Sequence, residues 1–504
     1  MHRGKGSLLL RVVLGSLLLA VVWQIAAIAA PQGTLSFSWP EEFRAIDPHR
    51  HDNQRVFWAV IGKNVFDHLV ERDALSNIVP GLATSWEAVT PTTWEFTLRQ
   101  GVKFHNGETF NASVVKYTFD RMKRLTAPCL FLFDQIDRVE VVGDYAVRIY
   151  TKAPYGALLY SLTMAEMVPP VAGEQDSYAT KPIGTGPFKV DQWVKDDRLV
   201  LVANEEYWGG APKLAKAIHY PLMESATRAA ALKTGKIDIA HQLPAEEVGA
   251  IRATAGLQVV PVASNDTICL VFDHDKAWGD ARVREAAARA IDVSEIEKYI
   301  LGEVGVAAKS AMAPSVFGFL DCSSEFPKYD LEEARELLKA AGYPNGFKTN
   351  IVAPAGFYPK DREICEYLKA QFAQIGIDLE IKLLVPASAW PILDSRDFEL
   401  FIAGWGAATM DGDFALWRNY HSSSTREGFA DPLLDEMLEI GRASGSQLMR
   451  QAVYGVAQVE IIQNVLRLPL YNPTRIYGIS DRVQGFTPRG DENYDLRTVS
   501  VTGS

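Results

Sequence analysis

Cysteine is scarce. The 504-residue chain has four, Cys129, Cys269, Cys322 and Cys365, and no two stand at the close spacing of a metal-ligand pair. That excludes a cysteine zinc cluster and a dense disulfide framework, while one bridge and a set of free, buried thiols both stay open. Basic residues are in deficit, 51 against 62 acidic ones, which argues against a nucleic-acid partner because phosphate binding calls for a basic stripe. Beyond residue 30 no stretch approaches the roughly 20 uncharged apolar residues of a membrane-spanning helix. The G-x-S-x-G elbow and the H-E-x-x-H zinc sequence are missing as well, and with them the common marks of a secreted hydrolase.

What is present begins at the N-terminus. Arg3 and Lys5 precede an apolar run that ends in Ala27-Ile28-Ala29 and the polar Pro31-Gln32-Gly33. This reads as a signal peptide over residues 1–29, with a retained anchor as the alternative. No cysteine follows to carry a lipid, so the expected location is the periplasm, with secretion across the inner membrane. Loss of Arg3, Lys5 and Arg11 leaves 48 basic residues against 62 acidic, a net charge of −14. The hydrophobic share of 48% allows a sizeable interior in each of two or three lobes.

Local patterns alternate between strand and helix. "TLSFSW" (34–39) reads as a strand, Val56 to Val70 as a helix, and "TWEFTLRQGVKF" as a strand followed by a tight turn at Asn106-Gly107. Asn111 is placed to cap a helix from Ala112 to Met122. "IDRVEVVGDYAVRIYT" is a hairpin turning at Gly143-Asp144, and Gly184 and Gly186 mark a break between lobes. From Cys269 onward strands alternate with helices, as in an α/β lobe covered on both faces.

The segments "PGLATSWEAVTPTTWEFTLRQGVKFHNGETFNASVVKYTFDRM", "PIGTGPFKV", "NEEYWGG", "ALKTGKIDI" and "RVREAAARAIDVSEI", in this order, resemble the extracytoplasmic solute-binding proteins of family 5, the peptide/nickel/oligopeptide type. The resemblance runs over residues 34 to 495. It implies an α/β, periplasmic-binding-protein-like two-lobe clamp with mixed sheets, helices and an additional inserted subdomain. Its parts would be 30–59 and 186–270 in the first lobe, 60–185 in the inserted subdomain, 271–470 in the second lobe and 471–504 as a return to the first. It further implies a small solute as ligand, permease subunits in the inner membrane coupled to cytoplasmic ATPases as partners, a monomeric chain, no cofactor, no metal and no enzymatic activity.

The stretch "GWGAATMDGDFALW" (404–417) is where a site is expected. A strand should end here, and strand ends face clefts in α/β folds. Trp405 offers a broad ring to a solute, Gly404 and Gly406 would leave the backbone beside it accessible, and inter-lobe packing is the competing role. Peptide-binding relatives carry an aspartate three residues after this Trp to hold an ammonium, and a loop arginine near 352–359 to hold a carboxylate. This chain has Ala408 and no Arg or Lys in that loop, so an ordinary dipeptide is not favoured. The pattern of Trp405, Thr409, Asp411 and Asp413 is similar to a branch with glutathione-binding and haem-associated members. Thr409, Asp411 and Asp413 are therefore ligand-binding candidates, an acid capping the helix near Phe414 being the other role open to them. Phe357, Tyr358, Ser36 and Ser38 complete the candidate wall, and Asn265 and Asp266 are expected at the crossing between lobes.

Three rival readings remain. Asp411 and Asp413 as an acid–base pair would make a hydrolase, but their spacing sets no catalytic separation. His49 and His51 in "DPHRHDN", or His421, would suit a nickel carrier or surface histidines alike. A sensory module, or an opine or sugar carrier, would use the same clamp.

Overall fold

In a computed structural model that describes residues 30–50, 54–73, 76–423 and 429–503, the strand Thr34–Trp39 lies at the centre of the first lobe. Alternate side chains Leu35, Phe37 and Trp39 are fully buried, as a strand covered on that face requires. It pairs in parallel with Lys216–Pro221 on one side and Ile239–Ala240 on the other, and Arg198–Ala203 and Phe188–Val194 extend the sheet antiparallel. The proposed signal peptide of residues 1–29 and His51 lie outside the described residues.

The expected helix over 56–70 is shorter and differently wound. A helical run begins at Gln54, is π-wound over Trp58–Gly62 and stops at Val65. The Val65 carbonyl accepts from the Gly186 amide at 3.0 Å in place of the next helical turn. A Cβ on Gly184 would stand 2.0 Å from that same carbonyl oxygen, so the glycine-rich break is where a second backbone closes in and ends the helix. Val70 already belongs to the strand Val70–Arg72.

The inserted subdomain is a four-stranded antiparallel sheet in the order Ala83–Thr90, Thr93–Leu98, Ala146–Thr151, Ile136–Gly143. The helix Ala112–Leu125 packs against it, begun by Asn111, whose side chain accepts from the amides of Ser113 and Val114. Its core runs from Leu69 to Met167 and includes Trp94, Phe96, Phe119 and Ile149. The run 56–66 and the segment from Val168 to Tyr178 pack with the first lobe.

The second lobe holds the parallel strands Lys348–Pro354 and Asp378–Leu384 and the strand Leu400–Gly406 beside Asp266–Phe272. Helices Ala281–Arg289, Leu331–Ala340 and Asp361–Gln374 flank them, and Pro432–Ala443 and Gln447–Gln463 form a helical pair. The 14-residue strand Arg467–Ser480 joins the lobes: its start pairs with Asp266–Phe272 and its end with Leu257–Ala263 and Ile239–Ala240. The chain thus crosses between lobes near 264 and again near 473. All four cysteines are free and buried, which decides between the two states left open by their spacing. Burial pushes the Cys365 thiol up to about 12. Among the described residues no helix is long and apolar enough to cross a membrane.

Candidate functional site

The two crossings are fastened to each other. Asn472 donates from Nδ2 to the Asp266 carbonyl and the Thr267 hydroxyl, each at 2.9 Å, and the Ser264 amide donates to the Pro473 carbonyl at 2.9 Å. Beside them opens a chamber of about 200 Å3 that takes Arg55 and Glu492 from the first lobe, Asn265 and Asp266 from a crossing, Gly406 and Ala408 from the second lobe. Met164, from the edge of the inserted subdomain, borders it too.

Charge in this inner chamber is arranged in pairs. Arg55 donates to both Glu492 oxygens at 2.7 Å, and Arg475 bridges Glu492 and Asp266. Burial alone would raise the Glu492 carboxyl; the Arg475 and Arg55 guanidiniums overcome that and hold it at about 2. Glu492 has φ +61°, a left-handed conformation in which non-glycine residues are uncommon. His241, stacked on Trp39 with centroids 4.1 Å apart, has its pKa driven well below the ordinary range by burial. The chamber is thus bordered by charged groups of both signs.

Trp405 stands on the strand Leu400–Gly406, on the face where Cys269, Val271, Phe401 and Ala403 pack. The Arg467 guanidinium lies 4.2 Å from its ring centroid. It borders a narrow space with Asn265, Thr267 and Arg467 that adjoins the inner chamber through Asn265. Its flanking glycines are closely covered, in contrast to the accessible backbone expected of them. A Cβ on Gly406 would stand 2.4 Å from Asp266 Oδ1, and one on Gly404 2.2 Å from Ile268. Tyr358 accepts from the Gly404 amide at 2.8 Å and donates to its carbonyl at 3.1 Å, so this tyrosine pins the strand beside Trp405. Phe357 is exposed and meets Trp390 edge-on at 5.2 Å. Ser38 is fully buried in the first-lobe sheet, and the Ser36 amide donates to Asp238 at 2.8 Å.

The two aspartates hold the loop. Asp411 is completely buried; its Oδ1 accepts from Arg450 Nη2 at 2.5 Å and from the Asp413 amide at 2.8 Å. Burial raises its carboxyl and Arg450 only partly offsets this. Asp413 takes a bidentate pair from Arg442, at 2.8 and 3.1 Å. The fork on Asp413 fixes orientation as well as charge, while Arg450 reaches Asp411 through one nitrogen. The loop therefore rests on the helical pair Pro432–Ala443 and Gln447–Gln463, from which the two arginines come.

Thr409 and Asp413 border a second, outer chamber of about 390 Å3, walled on its other side by Phe131, Tyr155 and Ser161 of the inserted subdomain. Subdomain and second lobe meet around it. The Gly156 amide donates to the Arg442 carbonyl at 2.7 Å, and Tyr160 stacks on Phe317 with centroids 5.6 Å apart and planes at 27°. These contacts make the arrangement a closed one. The arginines, the subdomain wall and residues 491–493 were not apparent from sequence, because their partners lie 29 to 437 positions away.

His49 is buried beside Asp47, whose Oδ1 accepts from its amide at 2.9 Å. His421 stacks on Trp417 with centroids 3.7 Å apart. Among the described residues no three His, Cys, Asp or Glu side chains come together to hold a metal ion.

Comparison with known proteins follows the same outline. A family model, Bacterial extracellular solute-binding proteins, family 5 Middle, matches residues 77–427. The glutathione-binding protein GsiB of Pectobacterium atrosepticum is 26% identical over 488 residues, covering 91% of this chain and 92% of that one. Di/tripeptide-binding protein 2 of Pseudomonas aeruginosa is 27% identical over 510 residues, covering 94% and 95%. The structure of HbpA2 from Haemophilus parasuis superposes with a TM-score of 0.83 at 23% identity, over 93% of this chain and all of that one.

Proposed function

This chain belongs to the bacterial extracellular solute-binding proteins of family 5, and on that premise we propose that it captures a small amphoteric solute, a peptide or modified peptide of the glutathione kind, between its lobes. It is a binding protein, the solute-capturing component of an ABC importer, and not an enzyme. The solute sits in the inner chamber and holds the lobes closed by contacts that exist only when both lobes surround it. The loaded clamp then presents it to permease subunits driven by cytoplasmic ATPases, from the periplasm and as a monomer.

The observation that carries this reading is the make-up of the inner chamber: first lobe, crossing and second lobe each contribute a side, with Arg55, Asp266 and Glu492 supplying both signs of charge. The specific solute class draws on two further supports. The similar proteins named above bind glutathione and di- or tripeptides, and Ala408 removes the acid expected to favour ordinary dipeptides.

Native mass spectrometry of protein purified from the periplasm, followed by calorimetry with glutathione and with di- and tripeptides, tests it. A bound solute of this class, returned unchanged, is the expected result. Conversion of the solute, or saturable binding of none of these compounds, rejects the reading.

A further inference from the structure

The contacts between the inserted subdomain and the second lobe are made by the chain's own groups and need no solute. We propose that Tyr160 is a positioning residue for solute capture: its ring latches the subdomain onto the loop that borders the inner chamber, so that the solute-free protein already closes for part of the time. This rests on the reading above that the solute is held between the lobes.

The path runs from ring to loop. Tyr160, in the short helix Leu158–Leu162, is buried, and its ring stacks on that of Phe317 across the seam. The Arg450 guanidinium lies 5.8 Å from the first ring centroid and 5.2 Å from the second, so one cation backs both rings. The backbone of Phe317 is bonded to the loop on both sides of Asp411. Its amide donates to the Met410 carbonyl at 3.0 Å, and its carbonyl accepts from the Gly412 amide at 2.9 Å. Asp411 itself takes Arg450. Met410 has φ +59°, a conformation that a non-glycine residue keeps only where its surroundings impose it. Two positions before Met410, Ala408 borders the inner chamber; four positions after Tyr160, Met164 borders it from the other side. Tyr160 does not line that chamber and acts on it through Phe317 and the loop.

Energetics give the latch a size. A well-placed aromatic pair shifts an equilibrium constant about two- to tenfold. Here the equilibrium is closure itself, because the two rings belong to bodies that part when the clamp opens. Two further contacts share the seam, the Gly156 amide on the Arg442 carbonyl and Phe131 against Phe414 at 6.1 Å. A solute that binds only the closed arrangement has its apparent affinity scaled by the closed fraction. Loss of the latch therefore weakens every solute by one common factor, whereas loss of a residue that touches the solute discriminates between solutes.

The test is pulsed electron spin resonance on the mature chain without solute, with spin labels on Lys152→Cys in the subdomain and Gln451→Cys in the second lobe. Both positions are exposed, and the four native cysteines are buried. With Tyr160 in place two label distances are expected, the shorter one belonging to the closed arrangement. Tyr160→Ala and the bulkier Tyr160→Leu, which fills the space without a flat ring, should each lower the share of the short distance about two- to tenfold. Tyr160→Phe keeps the ring and should preserve it. A single long distance in the solute-free chain with Tyr160 overturns the proposal, and so does an unchanged short-distance share in Tyr160→Leu. No solute enters this measurement, so its outcome is separate from whether glutathione or a small peptide binds.

Discussion

Gly156 and Ser444 touch across the gap between the inserted subdomain and the second lobe: a Cβ on Gly156 would stand 1.6 Å from the Ser444 carbonyl oxygen. No side chain fits there while the adjacent amide reaches Arg442. Gly156→Ala is therefore expected to leave each lobe folded and to hold the clamp ajar. Solution scattering should show a compaction of the wild type with whichever of glutathione and the small peptides it binds, and little or none for the variant, whose affinity should fall at least tenfold. Equal compaction in both would show that the contact does not limit closure.

Arg450 is buried against Asp411, and removing one partner of a buried pair strands the other charge. Arg450→Met should cost about 3–5 kcal/mol of stability. The double variant Asp411→Asn, Arg450→Met should be less damaged than the sum of the two single changes. Denaturant unfolding measures both, and strict additivity would mean that the pair is not coupled.

Two buried groups couple stability to pH in opposite directions. Glu492 is held at about 2, below its unfolded value of about 4.3, so its contribution is present above that value and is lost as pH falls towards 2. His68 is the opposite case. Burial alone would lower it, but Glu71, whose Oε1 lies 2.8 Å from its Nδ1, and Glu166 lift it to about 9. Its contribution is present in full below about 6.5 and is lost as pH rises through 9. Glu492→Gln should flatten the acid limb of the melting-temperature profile and His68→Gln the alkaline limb; a limb that keeps its slope removes that residue from the account.

Ala408 borders the inner chamber at the place where the family resemblance implies an aspartate in dipeptide binders. Ala408→Asp should raise affinity for a simple dipeptide at least tenfold, as measured by calorimetry, by supplying an anion for its ammonium. No gain would mean that the dipeptide's ammonium does not reach residue 408.

What was legible in the sequence was local. The Asn111 cap, the turn at Gly107 with φ +89° and the hairpin at Gly143-Asp144 each depend on a few neighbouring residues, and all stand as the pattern implied. The end of the helix at Val65 did not show, because it is imposed by Gly184 and Gly186, more than a hundred positions later. The helix Gln447–Gln463 raised no expectation either, although its Arg450 makes Asp411 part of the framework. In the site, the strand leading to Trp405 was visible as an apolar run broken by glycine. The groups that surround it, Tyr358 on Gly404 and Asp266 against Gly406, are tertiary and left no mark on that run.

The chain leaves the first lobe at Asp266 and comes back at Asn472, and the side chain of the second residue is bonded to the backbone of the first. Some two hundred residues thus depart and return through one doorway. Such a unit is one continuous segment with neighbouring ends, so an exchange cut at these points would replace the second lobe whole, while the remaining body keeps its own termini and scaffold.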